Sequence, residues 1–157
     1  TATRINGVSG AATYYIIGGE RSRSAVAPLP STVATAEVWS GTMLPNATVA
    51  WLEVDPGDAV TSFPARYGHE VVYWPGSSTW ILFGGMNGTH TFKDAWSTLD
   101  FMNWNEVLPE SSANAPAARS HFGMAVVDAA EGGTNIVLFG GTNPHLINNN
   151  TGALCLV

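Results

Sequence analysis

The stretch TWILFGGMNG, from Thr79 to Gly88, is a short run of β-branched, aromatic and aliphatic residues that stops at two glycines. The phrase returns twice, as TYYIIGGE from Thr13 to Glu20 and as TNIVLFGGTN from Thr134 to Asn143. A brief, unbroken apolar run bounded by turn residues reads as a strand buried on both faces. Glycine at its end tolerates positive φ and close approach of other backbone. A phosphate-cradling loop would need Gly-x-Gly-x-x-Gly, or Gly-Lys-Ser/Thr ahead of a helix. None of the three sites has either, so Gly18, Gly19, Gly84, Gly85, Gly140 and Gly141 read as architectural positions.

Further landmarks recur in the same order. EVWS (Glu37 to Ser40) matches DAWS (Asp94 to Ser97), WLEVDP (Trp51 to Pro56) matches WNEVLP (Trp104 to Pro109), and PARYGH (Pro64 to His69) matches AARSHF (Ala117 to Phe122). Trp51 to Trp104 and Arg66 to Arg119 are each 53 residues apart. A period near 50 residues is the mark of a repeat architecture. In the middle repeat four strands are expected, in HEVVYW (His69 to Trp74), TWILFG (Thr79 to Gly84), DAWSTLD (Asp94 to Asp100) and NWNEVL (Asn103 to Leu108), with no convincing helix. Four antiparallel strands per repeat make the blade of a β-propeller.

A strand ending in Gly-Gly, a Trp eleven residues on, a second Trp eight residues later and then Arg-x-Gly-His resembles the kelch repeat. The resemblance implies an all-β, kelch-type propeller segment of about two and three-quarter four-stranded antiparallel blades, an incomplete ring. Blade 1 covers about 1–56, blade 2 about 66–109 and a partial blade 3 about 119–157. The first repeat carries an insertion, SRSAVAPLPSTVAT, expected to form a projecting loop. The third replaces Gly-His by His121-Phe122. An open wedge would expose apolar faces between blades. The chain is therefore expected to be part of a longer polypeptide or an assembly, with further blades from the same or neighbouring chains. The opening TATRING, without an initiator Met or a secretory leader, fits a processed chain or an excerpt.

Composition narrows the function classes. Charged residues make up 11% of the chain, the net charge is -6, and the six basic residues (Lys93 and five scattered arginines) form no cluster that could neutralise a nucleic-acid backbone. No apolar run approaches the roughly 18 residues of a membrane span. One cysteine, Cys155, excludes an internal disulfide framework. Against the reducing compartment this suggests stand three N-glycosylation acceptors, at Asn46, Asn87 and Asn149, each in a stretch that reads as a loop. The expected location is extracellular or at the cell surface, and N-linked glycans are the only expected adduct.

Tryptophans Trp39 and Trp96 share one repeat position and Trp51 and Trp104 another, which marks them as packing residues. Arg66 and Arg119 likewise read as structural. Trp74 and Trp80 flank the PGSS turn outside the pattern and, with His90, are the candidate ligand contacts. His69 and His121 lie near matching positions and read as strand-end residues. No histidine spacing suits a metal, no Gly-x-Ser-x-Gly elbow occurs, and Cys155 has no local base. No catalytic, cofactor or metal residue is assigned. The expected function is a non-enzymatic binding or structural module that meets a protein or glycan partner through its blade loops, Glu20 to Thr35, Asn87 to Lys93 and Asn143 to Asn150. By resemblance, two alternatives stay open: a galactose-oxidase-like or sialidase-like enzyme with catalytic residues outside this segment, and an intracellular kelch adaptor. STLDFMNW (Ser97 to Trp104) is similar to the sialidase hairpin motif but lacks its glycine.

Overall fold

The computed structural model describes residues 2–6, 12–22, 32–55, 62–129, 132–145 and 155–156. Every regular element among them is a strand: β1 (Ala2–Asn6), β2 (Ala12–Ser22), β3 (Thr32–Met43), β4 (Val49–Asp55), β5 (Glu70–Trp74), β6 (Thr79–Phe83), β7 (Ala95–Thr98), β8 (Asn105–Leu108), β9 (Ser120–Asp128), β10 (Thr134–Thr142) and β11 (Cys155–Leu156). They form three antiparallel sheets in which chain neighbours are sheet neighbours: β1 to β4, β5 to β8, and β9 to β11. The middle-sheet strands lie within the four segments expected from the sequence.

β6 explains the unbroken apolar run. Side chains alternate across a strand, and here both faces are covered. Trp80 and Leu82 pack towards the first sheet, with Ile17, Ala36 and Val38. Ile81 and Phe83 pack towards the third, with Phe122 and Leu138. Across the first seam Tyr15 stacks on Phe101, centroids 4.1 Å apart, while Phe63 meets Trp104 edge-on at 4.9 Å. In the second seam Phe83 meets Phe122 edge-on at 5.8 Å.

The segment joining the first and second sheets is pinned by Arg66. Its backbone accepts a hydrogen bond from Gly19 N (2.8 Å) and donates one to Thr35 O (3.2 Å), both in the first sheet. Its side chain runs into the second sheet. Nη1 donates to Gly84 O (2.9 Å), the guanidinium grips both carboxylate oxygens of Asp94, and Nε donates back to Pro64 O (2.9 Å). The guanidinium also lies 4.0 Å from the Phe92 ring centre, a favourable cation–π placement. Fully buried, Arg66 is paired and hydrogen-bonded as a buried charge must be.

The next joint repeats this one. Arg119 O accepts from Gly85 N (2.9 Å), Arg119 N donates to Phe92 O (3.2 Å), Nη1 donates to Gly140 O (3.1 Å) and Nε to Ala117 O (3.1 Å). The glycine pairs serve the same contact. A Cβ on Gly18 would fall 2.9 Å from Arg66 O, and one on Gly84 would fall 2.7 Å from Arg119 O, with φ at +55° and +64°. The second glycines of the middle and last pairs pack on their own sheets: a Cβ on Gly85 would meet His69 Cβ at 2.9 Å, and one on Gly141 would meet Phe122 Cβ at 2.7 Å, whereas one on Gly19 would meet nothing within 4 Å.

The alignment of Gly68-His69 with His121-Phe122 has a structural counterpart: His69 and Phe122 are both buried strand-entry rings, and His121 shares the positive φ of Gly68, +54° against +65°. One expectation is corrected. The first-repeat insertion is not wholly loop: Glu20, Arg21 and Ser22 pair with Ala34, Val33 and Thr32, so its ends prolong the β2–β3 hairpin. Its remainder, 23–31, lies outside the described residues.

Removing either partner of the buried pair leaves an uncompensated charge. Arg66→Ala or Asp94→Ala is expected to lower unfolding free energy by about 3–5 kcal/mol in urea titrations. Arg66→Lys will not restore it, because lysine lacks the planar fork. His69 is held neutral, its pKa well below the ordinary 6.5, by burial first and by the Arg66 guanidinium as well. The unfolded chain takes up this proton as pH falls through 6.5 and the folded chain does not, so stability declines below that pH and is unaffected above it. His69→Phe, which installs the residue of the equivalent position, should remove that part of the decline in a pH series of thermal melts.

Candidate functional site

Both described Asn-x-Thr triplets sit on tight, exposed turns. Asn46 lies between β3 and β4, where Leu44 N donates to Thr48 O (2.8 Å) and Ala47 N to Leu44 O (3.0 Å). Asn46 Oδ1 accepts from Thr48 N (3.2 Å) and from the Thr48 hydroxyl (2.6 Å). Asn87 follows the Gly84-Gly85 pair, in a turn closed by Asn87 N to His90 O (3.0 Å). Its Oδ1 accepts from Thr89 N (3.2 Å), the Thr89 hydroxyl (3.1 Å) and His90 N (2.9 Å). In both, the asparagine folds back on the residue two further on, the Asx-turn expected of Asn in such loops. The threonine hydroxyl of the triplet thereby touches the asparagine amide in each case. Asn149 lies outside the described residues.

Candidate contacts Trp74 and Trp80 are not brought together. Trp80 faces the first seam, against Tyr73 (5.2 Å) and Phe101 (5.3 Å), and belongs to that core. Trp74 faces the second. There it lines an open cavity of about 420 Å³ with Ser77, Thr79, Ile81, Ser97, Val107 and Ile136. In the first seam the positions matching Ile81 and Val107 are Tyr15 and Val54. Tyr15 is covered by Phe101, and both pack against the first core. The cavity therefore lies where the first seam holds the β7–β8 aromatic residues. Its walls are mostly apolar, and the Ser77 and Thr79 hydroxyls beside it bond to each other (2.5 Å). His90 is elsewhere, 3.4 Å from Glu110 and edge-on to Phe92 at 4.9 Å.

The Asn87 to Lys93 loop is anchored rather than free-standing. Phe92 N donates to Gly85 O (2.8 Å), Lys93 N to Glu110 Oε1 (2.8 Å), and Thr91 and Phe92 are buried. Of the Asn143 to Asn150 loop, residues 143–145 are described, with His145 N donating to Asn143 Oδ1 (3.1 Å). Trp96 and Trp39 each donate their indole N–H to the acid two residues before, Asp94 (2.8 Å) and Glu37 (3.3 Å). Trp104 is buried and Trp51 exposed.

Asp94 and Asp100 were not singled out in the sequence as site residues, although the acid-x-Trp repeat marked Asp94. Asp100 organises the β7–β8 turn. It accepts hydrogen bonds from Met102 N (2.9 Å), Asn103 N (2.8 Å), Asn103 Nδ2 (2.9 Å) and the Thr98 hydroxyl (3.2 Å). The backbone reverses at Phe101, whose φ is +62° and whose ring is buried in the first core. Desolvation pushes the Asp100 pKa up, but the bonds from Asn103, Met102 and Thr98 outweigh it and bring the carboxyl down to about 2. Among the described residues no three His, Cys, Asp or Glu side chains gather as a metal site requires. No helix among them is long and apolar enough to cross a membrane.

With a folded pKa near 2 against an ordinary 3.8, Asp100 stabilises the fold above pH 3.8 and ceases to as pH falls towards 2. Asp100→Ala should lower Tm at neutral pH and flatten the fall in Tm between those two values, read by circular dichroism. No family model matches the chain, and no curated protein is significantly similar to it.

Proposed function

We propose that the chain is a segment of a kelch-type β-propeller serving as a non-enzymatic binding or structural module of an extracellular or cell-surface glycoprotein, within a longer chain or an assembly. Each sheet is then one blade, over about 1–56, 66–109 and 119–157. The propeller reading is supported by the joint between sheets, whose backbone bonds and arginine-to-carbonyl bonds recur around Arg66 and Arg119, the carboxylate of Asp94 being added at the first.

The observation that carries the glycoprotein reading is the shared form of the two acceptor turns. Asn46 and Asn87 are both exposed, and both have the Thr hydroxyl of the triplet bound to the asparagine oxygen. A low-charge surface rich in Ser, Thr and Asn accords with a module that meets its partners through hydroxyls, amides and glycans rather than ion pairs. The mostly apolar Trp74 cavity has the chemistry to take a partner's apolar side chain.

Intact mass of the native polypeptide, before and after enzymatic removal of N-linked glycans, tests the reading. The expected mass exceeds 16.5 kDa and drops on treatment, with one glycan lost in each of the Asn46→Gln and Asn87→Gln variants. A mass unchanged by the enzyme overturns the extracellular reading.

A further inference from the structure

Asn87 is followed by Gly88, and both are exposed in the turn that Asn87 N and His90 O close. The asparagine side chain curls forward along the main chain. Its Oδ1 accepts from Thr89 N (3.2 Å), the Thr89 hydroxyl (3.1 Å) and His90 N (2.9 Å). Donors aimed at a carbonyl oxygen stabilise the negative charge that gathers there when its carbon is attacked. The nucleophile next along the chain is Gly88 N, which donates to no acceptor among the described residues. Gly88 has no side chain to crowd that nitrogen, and its φ is +94°. The turn after β3 supplies the comparison. Asn46 Oδ1 also accepts from the backbone and hydroxyl of its threonine, Thr48, and Ala47 shares the positive φ, at +62°. Ala47 differs from Gly88 by a Cβ beside the attacking nitrogen.

We propose that Asn87 is a self-modifying site, deamidating through Gly88 N wherever its side-chain nitrogen carries no glycan. Gly88 N gives its proton to solvent base and bonds to Asn87 Cγ. The Cγ–Nδ2 bond breaks, and Nδ2 takes a proton from water and leaves as ammonia. A five-membered succinimide remains, which water opens at either carbonyl to aspartate or isoaspartate. The chain thus exchanges one ammonia for one water. Because Nδ2 is both the glycan acceptor and the leaving group, the two fates exclude each other. Conversion places a negative charge against His90 N, in a loop where the His90 ring already faces Glu110. The isoaspartate form also adds a main-chain carbon to the closed turn. Deamidation itself needs only this turn, and the protection by a glycan rests on the glycoprotein reading.

Peptide mapping of the folded, unglycosylated chain, incubated at mildly alkaline pH, tests this by counting isoaspartate at each asparagine. Site resolution matters because Asn6-Gly7 is a second Asn-Gly step, with Gly7 outside the described residues. Isoaspartate is expected to accumulate at Asn87 and not at Asn46, faster as pH rises. Gly88→Ala should remove most of it, and Ala47→Gly should start it at Asn46. Thr89→Val, which deletes one donor to Oδ1, is expected to slow conversion in the folded chain and to leave the rate in urea unchanged. An Asn87 that stays intact, or converts no faster than Asn46, overturns the proposal. So does a Gly88→Ala chain that converts like wild type, or a folded Thr89→Val chain that does. Where Gly88→Ala loses cooperative unfolding, the Ala47→Gly gain decides, and its absence overturns the proposal. Chain bearing a glycan at Asn87 should show no isoaspartate there, and conversion in its presence overturns the exclusion. The glycan result stays separate: an unglycosylated native chain that converts at Asn87 sinks only the extracellular reading.

Discussion

The structure depends on one buried ion pair and the backbone that delivers it. Arg66 is held by the first sheet through its main chain and by the second through its guanidinium, which engages Asp94 and Gly84 O. Burying a guanidinium is costly unless its donors are matched, and here a two-pronged carboxylate and carbonyls of Gly84 and Pro64 match them. The orientation of the second sheet against the first is therefore set by directional bonds, and the apolar seam of Ile17, Val38, Leu82 and Trp104 fills the space those bonds leave.

Close approach at the joint explains the residue types around it. Backbone carbonyls of the arginine segments come so near the preceding sheet that only glycine fits at Gly18 and Gly84. The neighbouring ring position tolerates either His69 or Phe122, because what is needed there is a flat buried group. It tolerates histidine only in the neutral form, with burial and the adjacent guanidinium both opposing charge. Architecture and pH response thus share one cause.

The outer parts of the sheets carry the chemistry available to partners. Turns after β3 and after the Gly84-Gly85 pair display asparagines, the β7–β8 turn is stapled by Asp100, and the second seam opens into a cavity beside Trp74. Rigid scaffolds commonly present recognition groups on loops of this kind.

Strand content, antiparallel order, the repeat and the glycine pairs were legible in the sequence, because each is written in a short window: an apolar run, a turn cluster, a recurring phrase. The acid of EVWS and DAWS was visible as a landmark, but its partner was not. Arg66 and Asp94 are 28 positions apart, and only the folded joint brings them together. Trp74 and Trp80 read as one pair across a turn, yet strand alternation and sheet stacking send them to different seams. Gly68-His69 aligned with His121-Phe122 in the sequence, but only the backbone shows that His121 adopts the positive φ of Gly68. What the chain determined alone was local conformation, since turn chemistry and side-chain period act over a few residues. Tertiary structure decided which charges pair, which histidine stays neutral and which aromatic residues are left uncovered, since each depends on surfaces supplied by residues far away in the chain.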